Sequence, residues 1–423
     1  MISVTSPRQI PACSTPVNML QNRSRDIVLR LLLYLSRGQL IIREGRQVMA
    51  FGDDPEFCAT LYVHDPAFYG RILTGGTIAA GETYTDGLWD TDDLTMVIRI
   101  IVANQQLLQK LETRAAWLVT PLRRLSHLVK GNSRRGAKRN ILAHYDLGNR
   151  MYQSFLDPTM MYSAAIYPRP ESTLEEAASY KLDLICRRLQ LHPGDRVVEI
   201  GSGWGGFALH AARHYGCHVT TTTISDAQYA EARRRIEAAG LEEHISLLRQ
   251  DYRDLTGQYD KLVSIEMIEA VGYRHLPTFI GKCSALLKPD GLMLIQAITL
   301  RDQLYAAYLN GIDFIQQHIF PGGCLVSNQH LLQLISRESD MVVRKLDDYG
   351  FDYARTLKDW RTRFHAAAGQ LDSLGYDARF RRLWEFYFCY CEGGFRERSI
   401  SVIHLLAGKP EQRTELSHHA LAG

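Results

Sequence analysis

The sequence predicts an α/β protein: a doubly wound, mostly parallel sheet with a helical insertion, preceded by a smaller α/β domain. Three observations predict it. From Leu174 onward, helical periodicity alternates with short apolar runs, the pattern of a parallel sheet flanked by helices. A glycine-rich turn, Gly201-Ser-Gly-Trp-Gly205, joins one such run to the next helix. The chain has 423 residues, more than one growing core accommodates, and a basic Gly- and Ser-containing stretch at 130–140 marks a boundary.

Residues 1–20 carry Pro, Ser and Thr without periodicity and read as a disordered terminus. The small domain, 21–125, holds short strands at Gly38–Gly45 and Ala59–His64. A helix over Leu94–Leu111 follows, with Asp92 and Asp93 where the helix dipole favours anions. After a linker at 126–140, the large domain runs over 141–410 and leaves a tail at 411–423. Within it an amphipathic helix, Leu174–Leu191, stops at His192-Pro-Gly194. Strands are expected at Arg196–Ile200, Cys217–Thr223, Ile245–Leu248, Lys261–Ser264, Gly291–Ile298 and Ile400–Leu406, with a helix through Phe207–Tyr215. The stretch from Thr299 to about Gln333 reads as a mostly helical insertion.

Composition narrows the class. The chain is 46% hydrophobic and 22% charged, an ordinary globular balance, and no apolar run is long enough to span a bilayer. The N-terminus lacks secretory-signal features, so a cytoplasmic location is expected. None of the eight cysteines forms a C-x-x-C pair, so no metal site is expected and the thiols read as reduced and mostly buried. The net charge is +3, but eight Lys/Arg against one acid fall between Pro121 and Arg150. Such a run suits nucleic acid, an anionic membrane surface or a solvated linker.

The glycine turn carries the first chemical signal. Its G-x-G-x-G spacing differs from the dinucleotide fingerprint, and Glu199 sits just before the strand ends. A carboxylate there disfavours a pyrophosphate and suits the amino group of a methionine moiety. Together, Val197–Gly206 read as the cofactor turn of an S-adenosylmethionine-dependent methyltransferase with a Rossmann-like sheet. Glu199, Gly201, Gly203 and Gly205 are the first candidate cofactor contacts. The second strand ends Thr220-Thr-Thr-Thr-Ile-Ser225, without the acid that usually grips the ribose, leaving Thr223 and Gln228 as substitutes. Asp251 and Tyr252, after the third strand, are placed to bracket the adenine.

Several ordered strings narrow the class further: His144-Tyr-Asp-Leu-Gly-Asn149, Leu156-Asp-Pro158, Met161-Tyr-Ser163, Gln250–Leu255, Glu266-Met-Ile-Glu-Ala-Val-Gly272, Ile319–Leu325 and Tyr349-Gly-Phe-Asp-Tyr353. Over residues 30–410 this chain resembles the cyclopropane-fatty-acyl-phospholipid synthase family. Gly81–Asp90 resembles the signature of that family's smaller N-terminal domain, associated with lipid engagement and dimer assembly.

The resemblance implies transfer of a methylene from S-adenosylmethionine to a cis double bond of an unsaturated phospholipid acyl chain, through a carbocation. It implies a bound bicarbonate as the base, held by a Glu, a Tyr, a His, a Cys and backbone groups. Glu269 and Tyr353 match the first two; Gln296 stands at the His position and Ala164 at the Cys position. Glu269, Tyr353 and Gln296 are therefore the expected catalytic residues, with Tyr162 and Ser163 on the cofactor side and a lid role for His144 and Tyr145. The changes at Ala164 and Gln296 keep a methyl-branched or methylene product open. A small-molecule amine N-methyltransferase and a silent lipid-binding protein are further alternatives. With lipid as substrate, the basic 121–150 run fits an anionic membrane surface rather than nucleic acid, placing the protein at the inner face of the membrane, with a homodimer as a candidate assembly. The aromatic-rich stretch Phe380–Phe395 reads as core packing or as a wall of an acyl pocket.

Overall fold

The computed structural model describes residues 19–104 and 148–413, which form two compact units. The expectations for residues 1–18, the linker, His144, Tyr145 and nearly all of the basic run fall outside the described residues, while Met19 and Leu20, expected in the disordered terminus, open the helix Met19–Leu32.

The smaller unit is built on a four-stranded sheet of β1 (Gln39–Glu44), β2 (Gln47–Gly52), β3 (Cys58–Val63) and β4 (Trp89–Thr91), in the order β2-β1-β3-β4. β1 and β2 form an antiparallel hairpin closed at Glu44 and Gln47, so β2 adds to the strands expected from sequence. Along β1, Leu40 and Ile42 alternate inward with Glu44. That buried carboxylate is satisfied by Arg25 at 2.6 Å and by the Tyr69 hydroxyl. In the Gly81–Asp90 signature, Tyr84 and Trp89 are buried edge-to-face at 5.2 Å, and the Trp89 indole donates to Thr83. The helix Leu94–Ala103 begins where expected, with Asp93 accepting from Met96 N–H at 2.9 Å, and ends earlier, at Asn104.

This unit also takes in residues 368–399, which the sequence reading places with the larger domain. The helix Ala378–Arg396 joins it through Thr95, whose hydroxyl donates to Glu392, and through Arg382, which pairs with Asp90 at 2.8 Å. Gly393 abuts Ile98 so closely that a Cβ would clash. Trp384, Phe386, Phe388 and Phe395 are buried, as core packing requires.

The larger unit carries β5 (Arg196–Ile200), β6 (His218–Thr222), β7 (Ile245–Leu248), β8 (Tyr259–Ile265), β9 (Leu287–Leu300), β10 (Val326–Ser327), β11 (Val342–Asp348) and β12 (Ile400–Gly408). Their order is β11-β12-β9-β8-β5-β6-β7, with β10 on β9. The strands from β7 to β9 are parallel; β12 and β11 run antiparallel to their neighbours. The strand β11 and the short β10 inside the insertion are additions to the sequence reading. Val198 and Ile200 face one core layer with Phe279 and Ile280, while Val197 faces another with Leu182 and Phe207. Glu199 shares the face of Val197, and so points toward the layer that holds the helix Leu174–Arg188. The strand order reverses beside β5, the place where open α/β sheets bind ligands.

Candidate active site

A cleft opens at the carboxyl ends of β5, β6 and β8, enclosing about 1130 Å³ with the open solvent at its mouth included. Its wall includes Tyr162, Ser163, Glu199, Gly201, Gly203, Thr223, Gln228, Asp251, Tyr252 and Glu266. The structure thus gathers in one cleft all the expected cofactor contacts except Gly205. That glycine is the left-handed N-cap (φ 87°) of the helix Gly206–Tyr215.

Local chemistry explains the turn. Gly201 N–H and Ser202 N–H both donate to Thr222 C=O, at 3.2 and 2.8 Å, lashing the turn to the end of β6. Gly201 has φ 98°, and a Cβ there would meet Met267 at 2.9 Å, so only glycine fits without displacing its neighbour. The Trp204 indole donates to Asn149 at 2.9 Å, tying the turn to the helix Asn149–Gln153.

Glu199 is 2% exposed and accepts from the Thr221 hydroxyl at 2.5 Å. Burial pushes its carboxyl up to about 8, against the pull of Thr221 and Lys181. An ammonium brought against it would favour the carboxylate, as a methionine amino group requires. Lys181 is wholly buried and donates to Ser163 at 2.7 Å; burial pushes its ammonium down to about 8. Thr223 donates to Gln228 Oε1 at 2.9 Å, so the two expected ribose partners are already coupled. The Asp251 carboxylate is held by the Arg253 guanidinium at 2.6 and 2.8 Å, while Tyr252 packs edge-on against Phe279. Tyr162 lies in an aromatic cluster with Tyr152 and Trp360, at ring distances of 5.2 and 5.3 Å.

Two of the three expected catalytic residues, Gln296 and Tyr353, meet around a carboxylate the sequence did not single out, whereas Glu269 bonds elsewhere and is not part of the cleft wall. Glu266 Oε1 accepts from Ala164 N–H at 2.8 Å and from the Gln296 amide at 2.7 Å. Glu266 Oε2 accepts from the Tyr353 hydroxyl at 2.8 Å. Glu266 holds φ 47°, a left-handed conformation that is costly for a residue with a side chain. Glu269 Oε1 accepts from Ile298 N–H at 2.5 Å, and its buried Oε2 has no hydrogen-bond partner among the described residues. Burial, reinforced by the charge of Glu266, pushes the Glu269 carboxyl up to about 8.

Gln296 is itself oriented from behind. Its Oε1 lies 2.9 Å from His404 Nε2, and His404 Nδ1 lies 2.9 Å from an Arg188 guanidinium nitrogen. Arginine only donates, so Nδ1 accepts and Nε2 carries the proton to Gln296. Burial and the Arg188 charge hold His404 neutral, well below the usual imidazole range. Gln296 must then direct its NH₂ group at Glu266 and at Ala164 C=O (3.3 Å).

Sequence reasoning missed Glu266, Lys181, His404 and Arg188. Lys181 left a signal: it sits on the apolar stripe with Ala177, Ala178, Leu184 and Ile185. Glu266 stood in a quoted string, but no spacing argument separates it from Glu269.

Comparison with known proteins agrees with this architecture. The mycolic acid cyclopropane synthetase family profile matches residues 132–405. The chain is 38% identical to tuberculostearic acid methyltransferase UfaA1 of Mycobacterium tuberculosis, over 81% of this chain and 82% of that protein. It is also 38% identical to cyclopropane-fatty-acyl-phospholipid synthase of Escherichia coli K12, over 87% of this chain and 91% of that protein. Among solved structures, mycolic acid cyclopropane synthase CmaA1 complexed with SAH and CTAB superposes with a TM-score of 0.59 at 29% identity. That match covers 64% of this chain and 98% of the other.

Proposed function

The chain belongs to the mycolic acid cyclopropane synthetase family, and from that premise we propose that it is a cyclopropane-fatty-acyl-phospholipid synthase. It is an S-adenosylmethionine-dependent C-methyltransferase, acting on a cis double bond of an unsaturated phospholipid acyl chain. The observation that carries the reading is the Glu266 carboxylate with its Gln296 and Tyr353 donors, placed so that Glu266 also lines the cleft beside Glu199 and the glycine turn.

Bound in that cleft, S-adenosylmethionine supplies an electrophilic methyl group. Glu199 would hold its amino group, the Gly201–Gly203 backbone would admit it closely, Thr223 and Gln228 would meet the ribose, and Tyr252 the adenine. An alkene is a weak nucleophile, so the protein must align it and exclude water; Tyr162 in the cleft wall, backed by the packed rings of Tyr152, Phe155 and Trp360, favours this. After methyl transfer, the ring closes only when a base removes a proton from the new methyl. The Glu266 carboxylate, with its Gln296 and Tyr353 donors, is the chain's means of doing so.

A second reading is favoured by Ala164 and Gln296 and by the relative named for tuberculostearic acid: a methyl-branched or methylene product. The small unit, with its Gly81–Asp90 signature, is proposed to engage lipid, with the protein peripheral to the inner face of the membrane and assembled as a homodimer. No helix among the described residues is long and apolar enough to cross a membrane.

The test is gas chromatography with mass spectrometry of lipids from cells expressing the protein. Ring-diagnostic fragments on acyl chains heavier by one methylene are expected; a methyl branch would establish the second reading instead. Label transferred only to soluble amines would overturn both.

A further inference from the structure

The anion pocket that the resemblance assigns to bicarbonate is filled in this chain by a side chain. The positions matched to the family's Cys, His and Tyr are Ala164, Gln296 and Tyr353, and all three donate to Glu266. A bicarbonate would claim the same three donors, so the residues present do not fit it. The surroundings favour a charge on Glu266 rather than on its neighbour. Burial raises the Glu266 carboxyl, but three donors and the nearby Lys181 ammonium oppose that rise. Glu269 has one backbone donor and an unpartnered Oε2, so it is the neutral acid of the two. The positive φ of Glu266 fits the same picture, because a strained backbone is retained where the side chain it presents is needed.

Resting on the function proposed above, we infer that Glu266 is the resident base: its carboxylate takes the place of bicarbonate and receives the proton shed by the carbocation. One C–H bond of the newly attached methyl breaks, and its electron pair forms the bond to the cationic carbon that closes the ring. The proton forms an O–H bond on Glu266. The carboxylate is restored when that proton passes to solvent after the product leaves the cleft that Glu266 lines. His404 is a positioning residue: it orients the Gln296 amide, which supplies one of the three hydrogen bonds to Glu266.

The experiment uses the full chain, vesicles of dioleoyl phosphatidylglycerol and methyl-labelled S-adenosylmethionine, in carbon-dioxide-free buffer with and without added bicarbonate. Wild-type turnover is expected to stay within about twofold in the two buffers, and Glu266→Gln to lose roughly 100-fold or more. Glu266→Gly vacates the pocket, so it is expected to be inactive without bicarbonate and to regain about tenfold or more with it. Retained S-adenosylhomocysteine binding by calorimetry shows that the variants are folded. Carbon-13 bicarbonate, followed by NMR, is expected to bind Glu266→Gly and not the wild type. A wild-type enzyme that needs bicarbonate, or binds it with Glu266 in place, overturns the inference. Absence of label in lipid under every condition would instead overturn the function, leaving the NMR result to decide who occupies the pocket.

Discussion

The Tyr353 hydroxyl donates to Glu266 Oε2 at 2.8 Å, linking the helix Gly350–Ala366 to the loop that follows β8. Tyr353 is 5% exposed and stands edge-on to Trp360, so its hydroxyl is held on target by packing. Tyr353→Phe keeps that packing and deletes one of three donors. Turnover should fall roughly 10- to 100-fold, while KM for S-adenosylmethionine stays within about twofold. Steady-state kinetics on vesicles measure both; a raised KM at unchanged kcat would mean that Tyr353 serves binding instead.

The relay behind Gln296 makes a spectroscopic prediction. With Arg188 donating to Nδ1, His404 should be neutral and carry its proton on Nε2 throughout the range from about pH 5 to 8. Nitrogen-15 NMR of labelled histidine reads this directly. An imidazolium signal, or a proton on Nδ1, would remove the directional push on the Gln296 amide.

Stability should depend on pH through Glu199. Its carboxyl lies near 4.5 ordinarily and is pushed up to about 8 in the fold. Between those values the native state keeps a proton that the unfolded chain has released, so stability falls as pH rises. The slope from this one group is about 1.4 kcal/mol per pH unit, and it vanishes above the folded value. Glu199→Gln should remove that slope, leaving the like-signed contribution of Glu269. Urea unfolding near pH 5.5, 6.5 and 7.5 compares the two proteins; equal slopes would contradict the burial argument.

At the glycine turn, Gly201→Ala places a Cβ against Met267 and forces an unfavourable positive φ. Cofactor affinity should drop by about 1–3 kcal/mol, roughly 5- to 150-fold. Calorimetry with S-adenosylhomocysteine would show it. Gly203→Ala faces open space and carries only the strain of its backbone angle, so it should cost less.

What could be read without coordinates was whatever depends on neighbours along the chain. The alternation of strand and helix, the glycine turn and Glu199 were legible because backbone conformation and strand periodicity are local. Strand β5 ends at Ile200 as its apolar run predicts, and Asp93 caps a helix where acids precede apolar periodicity. Tertiary structure decided what depends on separate segments meeting. Glu266, Gln296, Tyr353 and Ala164 lie on four stretches of chain, and only sheet register brings Ile265 opposite Gln296 and Gln296 opposite His404. The helix Ala378–Arg396 has an apolar face that would suit many partners, and only packing assigns it to the small unit. Glu266 and Glu269 are indistinguishable by residue type. Their roles separate because a buried carboxylate takes its charge from the donors that surround it, and those donors come from distant parts of the sequence.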